Sequence, residues 1–269
     1  MAGLELRPLS LGEVLDRTFS LYRRHFLLFL GISGIPQLLV LGFNLSRGSI
    51  RTSVALNLVV LFLLLIVAGL AYLFAQGGTI LAVSELYLGR PTSIAESLRR
   101  VWGEIGPLFG VIALNGLAIA GAFLLLIIPG IYVACRLLVC VPAALIERRG
   151  PRESLSRSFD LTRDNAGRAF VILIFCVILT YGAQLLFGLP FGVALVSAIK
   201  DPAMARFWLA MTEVSSSIAT TLVQPILLIA TSIFYFDLRV RKEAFDLQLM
   251  MNPDASQVPR ASSLPSIIS

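Results

Sequence analysis

The chain has 269 residues, 57% of them hydrophobic and 14% charged, with a formal net charge of +6 and a mean hydropathy of +0.86. Soluble domains run at about a quarter charged, so this composition argues against a soluble globule and for an integral membrane protein. A single histidine, His25, rules out a histidine-cluster metal centre, and no cofactor is expected. Cys135, Cys140 and Cys176 lie inside apolar runs with no C-x-x-C pair, as buried small hydrophobes do.

Residues 9–24 predict an amphipathic helix. Ser10 can cap it, Glu13 stands at the capping-box position, and Leu11, Leu15 and Phe19 share a stripe. Arg17, Arg23 and Arg24 can reach phosphate headgroups. The apolar run from Phe26 is too long for a signal core and lacks an A-x-A exit, so it is expected to stay as a first span, Phe26–Asn44. Its breakers, Gly31, Gly34 and Pro36, are tolerated in membrane helices.

From Thr52 to Ser84 there is no charge, more than the roughly 20 residues a crossing needs. The second span is expected from Val54, with its last part from Gly77-Gly78 kinking or projecting, and an end at Gly89-Arg90-Pro91. Ser93 and Glu96 then open a second amphipathic helix over 92–103. Pro129-Gly130 divides the next uncharged stretch into spans Leu108–Ile128 and Ile131–Ile146. A third amphipathic helix is expected over 151–163. A fifth span, Ala169–Phe187, stops near Pro190; a sixth, Thr212–Phe236, is interrupted at Pro225. The Ser- and Pro-rich residues 250–269 predict a disordered tail.

The three amphipathic segments share a motif, E-x-L-x-R-x-aromatic: Glu13, Leu15, Arg17 and Phe19; Glu96, Leu98, Arg100 and Trp102; Glu153, Leu155, Arg157 and Phe159. On a helix, Glu and Arg at i,i+4 can pair, and Leu and the aromatic share a stripe. The expected fold is therefore all-α: one membrane domain over 1–249 with six transmembrane helices, built as three parallel repeats (about 9–88, 92–147 and 151–249). Each repeat is a cytoplasmic amphipathic helix followed by a helical hairpin.

Charge supports that topology. With both termini inside, cytoplasmic segments hold Arg7, Arg17, Arg23, Arg24, Arg90, Arg99, Arg100, Arg148, Arg149, Arg152, Arg157, Arg163, Arg168, Arg239, Arg241, Lys242 and Arg260, which is 17 of the 22 basic residues. Outer loops hold Arg47, Arg51, Lys200 and Arg206, and the positive-inside rule is obeyed. The arginines are dispersed over interfacial helices, so anionic lipid at the cytoplasmic face is the expected partner and nucleic acid is not. A protein partner is possible but unspecified.

Several blocks together resemble one bacterial family: Arg7 to Thr18, Pro129-Gly130-Ile-Tyr132 with Arg136, Pro142 and Glu147, Glu153 to Thr162, and Tyr235-Phe-Asp237 onward to Leu247. Over roughly residues 7–249 the chain is similar to the glycerophosphoryl diester phosphodiesterase membrane-domain family. The resemblance implies an all-helical bacterial inner-membrane protein. Phosphodiesterase activity is not expected to come with it, because about twenty residues after the last block leave no room for a barrel of ~250 residues. No enzymatic activity is expected.

Arg136 is the one charge deep in a span, by default a functional-site hypothesis. The expected helix register puts it near the outer end, where it can snorkel outward or pair with Glu213. Asn57, Asn115, Gln184 and Gln224 either line a pathway or make interhelical hydrogen bonds. Glu85 and Glu147, at inner ends, are expected either to be solvated on the cytoplasmic side or to bridge to nearby arginines. The leading functional expectation is a membrane scaffold, anchor or lipid-interacting partner without a catalytic site. The alternative is a small-solute or lipid transporter using Arg136 and the intramembrane amides, and an intramembrane enzyme ranks third.

Overall fold

The computed structural model describes residues 8–47, 54–198 and 200–243, and every regular element among them is a helix. In chain order these are α1 (Leu11–Arg24), α2 (Phe26–Arg47), α3 (Val54–Tyr87), α4 (Ile94–Leu125), α5 (Ile127–Arg136), α6 (Cys140–Glu147), α7 (Pro151–Thr162), α8 (Ala166–Ser197) and α9 (Pro202–Glu243). Six stretches are long and apolar enough to cross a bilayer: Phe26–Leu45, Leu58–Tyr87, Ile94–Leu125, Ile127–Glu147, Ala166–Ser197 and Pro202–Glu243. The expected tail 250–269, the loop around Arg51 and the side chain of Asn57 lie outside the described residues.

Helix α9 is the pillar of the bundle. Its 42 residues would extend roughly 63 Å, and from Ile226 to Leu238 almost every side chain is buried. A helix apolar all round is stable only when neighbours cover every face. Helices α1, α2, α3 and α8 supply that cover, with α7 against its last turns. The burial contrast is large: 56% of the α9 window is buried against 11% for α8. The leucines and aromatics of α8, such as Leu185, Leu186 and Tyr181, face outward, as lipid-facing side chains do.

One end of the bundle gathers the charges. The end of α3, the start of α4, the end of α6, α7, the start of α8 and the end of α9 carry ion pairs there, and α1 joins through the hydrogen bond from Arg17 to the Tyr87 hydroxyl. We call it the charged face. Its helix ends are closed by local chemistry. Ser10 and Glu13 form the expected capping box on α1, and Ser93 accepts from the Glu96 amide on α4. Gly89, at φ 75°, ends α3 where the sequence predicts: the Arg90 amide reaches the Glu85 carbonyl at 2.9 Å and the Gly89 amide reaches Leu86 at 3.1 Å.

Three boundary expectations are corrected. Residues 94–103 are helical but continuous with the following span, so the second amphipathic segment is the projecting end of α4 and not a separate surface helix. No glycine or proline there stops it, because Pro107 lies deep inside and the preceding turns pack on α3. Helix α3 is continuous through Gly77-Gly78 and carries its last turns to the charged face, where Glu85 pairs with Arg100. Those glycines serve contact: a Cβ at Gly77 would stand 2.9 Å from Leu108 Cδ2, and one at Gly78 2.9 Å from Ile32 Cγ2. The hairpin between the third and fourth spans turns at Leu126, which is extended, with Pro129 seated in the first turn of α5, where its missing N–H costs nothing. Finally, α8 continues through Pro190 to Ser197.

Candidate functional site

The charged face is organised around two carboxylates. Asp237, 1% exposed, accepts from the Leu9 amide at 2.6 Å, from Arg168 at 2.7 Å and from Arg241 at 3.1 Å. Arg168 and Arg241 also donate to the Leu9 carbonyl, at 2.7 and 2.6 Å. One buried carboxylate and two guanidiniums thus clamp the segment leading into α1 onto α8 and α9. Glu147, at the end of α6, accepts from Tyr235 at 2.8 Å, from Arg157 at 2.9 Å and from Arg149 at 2.5 Å. Arg157 also pairs with Glu243, which Arg239 reaches from one turn earlier at 3.0 Å. Glu85 pairs with Arg100, so of the two expected states, solvation or a bridge, both Glu85 and Glu147 take the bridge.

The motif residues reach the same face but do not all act as expected. Glu96 and Arg100 form the i,i+4 pair at 2.5 Å. Glu13 closes the α1 capping box and Arg17 reaches the Tyr87 hydroxyl at 3.5 Å. Glu153 is exposed and forms no ion pair among the described residues; Arg157 turns to Glu147 and Glu243 instead. The reason is burial. Arg157 lies on the α7 side facing α6 and α9, where carboxylates in low dielectric attract it more than a solvated neighbour does. The buried stripe also differs from expectation. It falls one residue after the Glu and four further on: Val14 and Thr18, Ser97 and Val101, Ser154 and Ser158. Leu15, Leu98 and Leu155 flank it at intermediate depth. Phe19 and Trp102 are exposed, while Phe159 is half-buried.

Arg136 is the largest correction. The span holding it starts at Ile127, so it lies nine residues in, and α5 ends there. Its guanidinium donates to the carbonyls of Phe159 at 2.6 Å and Arg163 at 3.3 Å and to the Tyr132 hydroxyl at 3.4 Å. It also lies over the Phe159 ring, 5.1 Å from the centroid. The last carbonyls of a helix lack intrahelical donors and carry partial negative charge, so a cation placed there satisfies both. The exchange is reciprocal. The Arg136 carbonyl, at the break between α5 and α6, accepts from Ser158 at 2.8 Å and Thr162 at 3.0 Å. Arg136 neither snorkels outward nor meets Glu213. Glu213 sits at the opposite end of the bundle and accepts from Asn44 at 3.3 Å.

The intramembrane amides divide. Gln184 ties α8 to α9, donating to Thr220 and accepting from Ser216, both at 3.1 Å. Asn115 on α4 keeps a buried Oδ1 without a hydrogen bond among the described residues. Gln224 and Gln184 line a cavity of about 410 Å³ between α2, α3, α8 and α9. Its other polar groups are Ser33, Gln37, Tyr72, Thr180 and Thr220, and its remaining wall is Pro, Val, Leu and Ala. On the charged face, a more open groove of about 600 Å³ runs between α4 and the start of α7. Its floor is Gly110, Ala113, Leu114 and Leu117, and its rim is Arg152 and Glu153.

Asp237, Tyr235 and Arg168 were not singled out from sequence as site residues. The available signal was a lone carboxylate in an apolar run with Arg241 four residues on. The three thiols are free, and no group of His, Cys, Asp and Glu among the described residues could hold a metal ion. No family model, curated protein or solved structure matches this chain.

Proposed function

We propose that this chain is a bacterial inner-membrane protein of the glycerophosphoryl diester phosphodiesterase membrane-domain type that acts without catalysis, as a scaffold or anchor engaging anionic phospholipid at its charged face. In this reading the charged face is cytoplasmic, both termini are inside, and the three motif helices are equivalent parts of three repeats. The matching buried positions in α1, α4 and α7 support the repeat. The basic-residue asymmetry supports the orientation.

The observation that carries the lipid reading is how the charges are used. Asp237, Glu147 and Glu85 are engaged by arginines within the protein. Arg23, Arg24, Arg99, Arg148, Arg152 and Arg163 are exposed on the same face. Arg152 stands at the rim of the α4–α7 groove, above an apolar floor. An acyl chain on that floor and a phosphate at Arg152 satisfy both halves of the groove. The test is lipid retention by native mass spectrometry after extraction from mixed bilayers. Phosphatidylglycerol should be retained over phosphatidylcholine, and Arg152→Gln with Arg148→Gln should remove the preference. Equal retention of both lipids by the wild-type protein sinks the reading.

A second reading, transport of a small solute or lipid, keeps one supporting observation: Gln184 and Gln224 line an intramembrane cavity. Arg136 is committed to capping α7 and has no part in it.

A further inference from the structure

The cavity between α2, α3, α8 and α9 is lined by no Asp, Glu, Lys, Arg or His. It owes its space to small side chains, Ala68, Ala71 and Ala75 on α3 and Ala219 on α9, at positions where larger residues would close the bundle. Its volume, about 410 Å³, lies within the range of ligand sites, about 300–1,000 Å³. Three polar groups in its lining, Ser33, Tyr72 and Gln224, make no hydrogen bond among the described residues, and two of them are covered by the bundle. Ser33 is 1% exposed and its hydroxyl makes no hydrogen bond among the described residues. The half-buried Gln224 amide makes none either. The buried Ser33 hydroxyl is the uncommon one, because buried polar groups are normally satisfied. Tyr72 lines the cavity, is half exposed and lies midway along α3, so the cavity opens between helices there and not at the charged end. Ser33 lies seven residues into α2, roughly 10 Å along the helix, well away from the charged face.

We propose that this cavity binds an uncharged membrane amphiphile, a molecule with an apolar body and a hydroxyl or ester group, entering sideways from the bilayer. The proposal rests on the chain being a membrane protein, but not on the lipid reading of the charged face. An ion would lose its hydration with no counter-charge in the wall. A sugar-like solute would leave most of its hydroxyls against alanine, valine and leucine. A bare acyl chain would leave Ser33 and Gln224 unpaired. A hydroxyl or ester at the head of an apolar body satisfies both groups and the wall together. The cavity holds the head and the first carbons, and the chains remain in the bilayer.

The probe is a diacylglycerol carrying a diazirine and an alkyne on one chain near the glycerol, at low mole fraction in phosphatidylcholine nanodiscs containing the full chain. A parallel set carries the same chain on phosphatidylglycerol. After irradiation, the diacylglycerol probe should label peptides containing Ser33, Tyr72 and Gln224, and unlabelled diacylglycerol should compete. Ala71→Phe, which fills the space, should lower that labelling by about tenfold, and Gln224→Leu should lower it less. Variants are compared only where melting is unchanged; if Ala71→Phe does not fold, the wild-type map decides. Labelling spread over the outer surface of α8, or equal labelling of the cavity by the phosphatidylglycerol probe, overturns the proposal. Loss of the protein from membranes on carbonate washing would instead overturn the membrane reading itself.

Discussion

At the charged face, a carboxylate 1% exposed is met by two guanidiniums and a backbone amide. Thirteen residues earlier on the same helix, roughly 20 Å away, the Gln224 amide makes no hydrogen bond among the described residues and lines an alanine-rich cavity. Both regions bury polar groups against α9, and they treat them oppositely. The charged face engages its buried carboxylates internally, although the Arg136 Nε is left without a partner among the described residues, and those pairs hold helices together. The cavity leaves some unsatisfied and withholds the side-chain volume that would fill it. Polar groups of the first kind support the fold, whereas those of the second kind are available to something else.

The largest expected effect that tests this contrast is at Asp237. Asp237→Leu leaves Arg168, Arg241 and the Leu9 amide without their acceptor, and breaking a buried pair costs about 3–5 kcal/mol. The melting temperature in detergent should fall sharply, and proteolysis ahead of α1 should increase. A variant that melts like the wild type would remove the clamp from the account.

Arg136→Leu comes next. It uncaps α7 and leaves the Phe159 and Arg163 carbonyls short of donors, a loss of about 1–3 kcal/mol. Adding Glu213→Leu should give no rescue, because Glu213 is bonded to Asn44 at the other end. Rescue in the double variant would restore the pair that the structure excludes.

In the cavity the sign should reverse. Ser33→Ala removes a buried hydroxyl with no partner and should leave stability unchanged or raise it by up to about 1 kcal/mol in lipid-free detergent. A loss as large as that at Arg136 would mean that Ser33 is structural, and the contrast would fail.

The smallest effect is electrostatic. Asp164 is exposed, and a hydrogen bond and the charge of Lys242, 3.0 Å away, hold its carboxyl below the ordinary carboxylate range. A depressed folded-state pKa adds stability above the unfolded value that is lost as pH falls through the folded one. Asp164→Asn should therefore lower the melting temperature slightly at neutral pH and make no difference in strong acid. A difference that persisted in acid would assign the effect to something other than this pair.

Composition and periodicity determined the helices. Apolar runs of membrane length, the Ser10–Glu13 box and the Gly89 stop were readable because each depends on residues within a few positions of one another. Glu96–Arg100 was readable for the same reason. Tertiary structure decided what depends on neighbours distant in sequence. It turned Arg157 from Glu153 to Glu147 and Glu243, because those two carboxylates are carried onto its face by α6 and α9. It gave Arg136 to the end of α7, because carbonyls freed by one helix terminus must find donors on whatever element packs there. It made a cavity of alanines that sequence alone shows only as helix-forming residues, since space between helices depends on which faces meet.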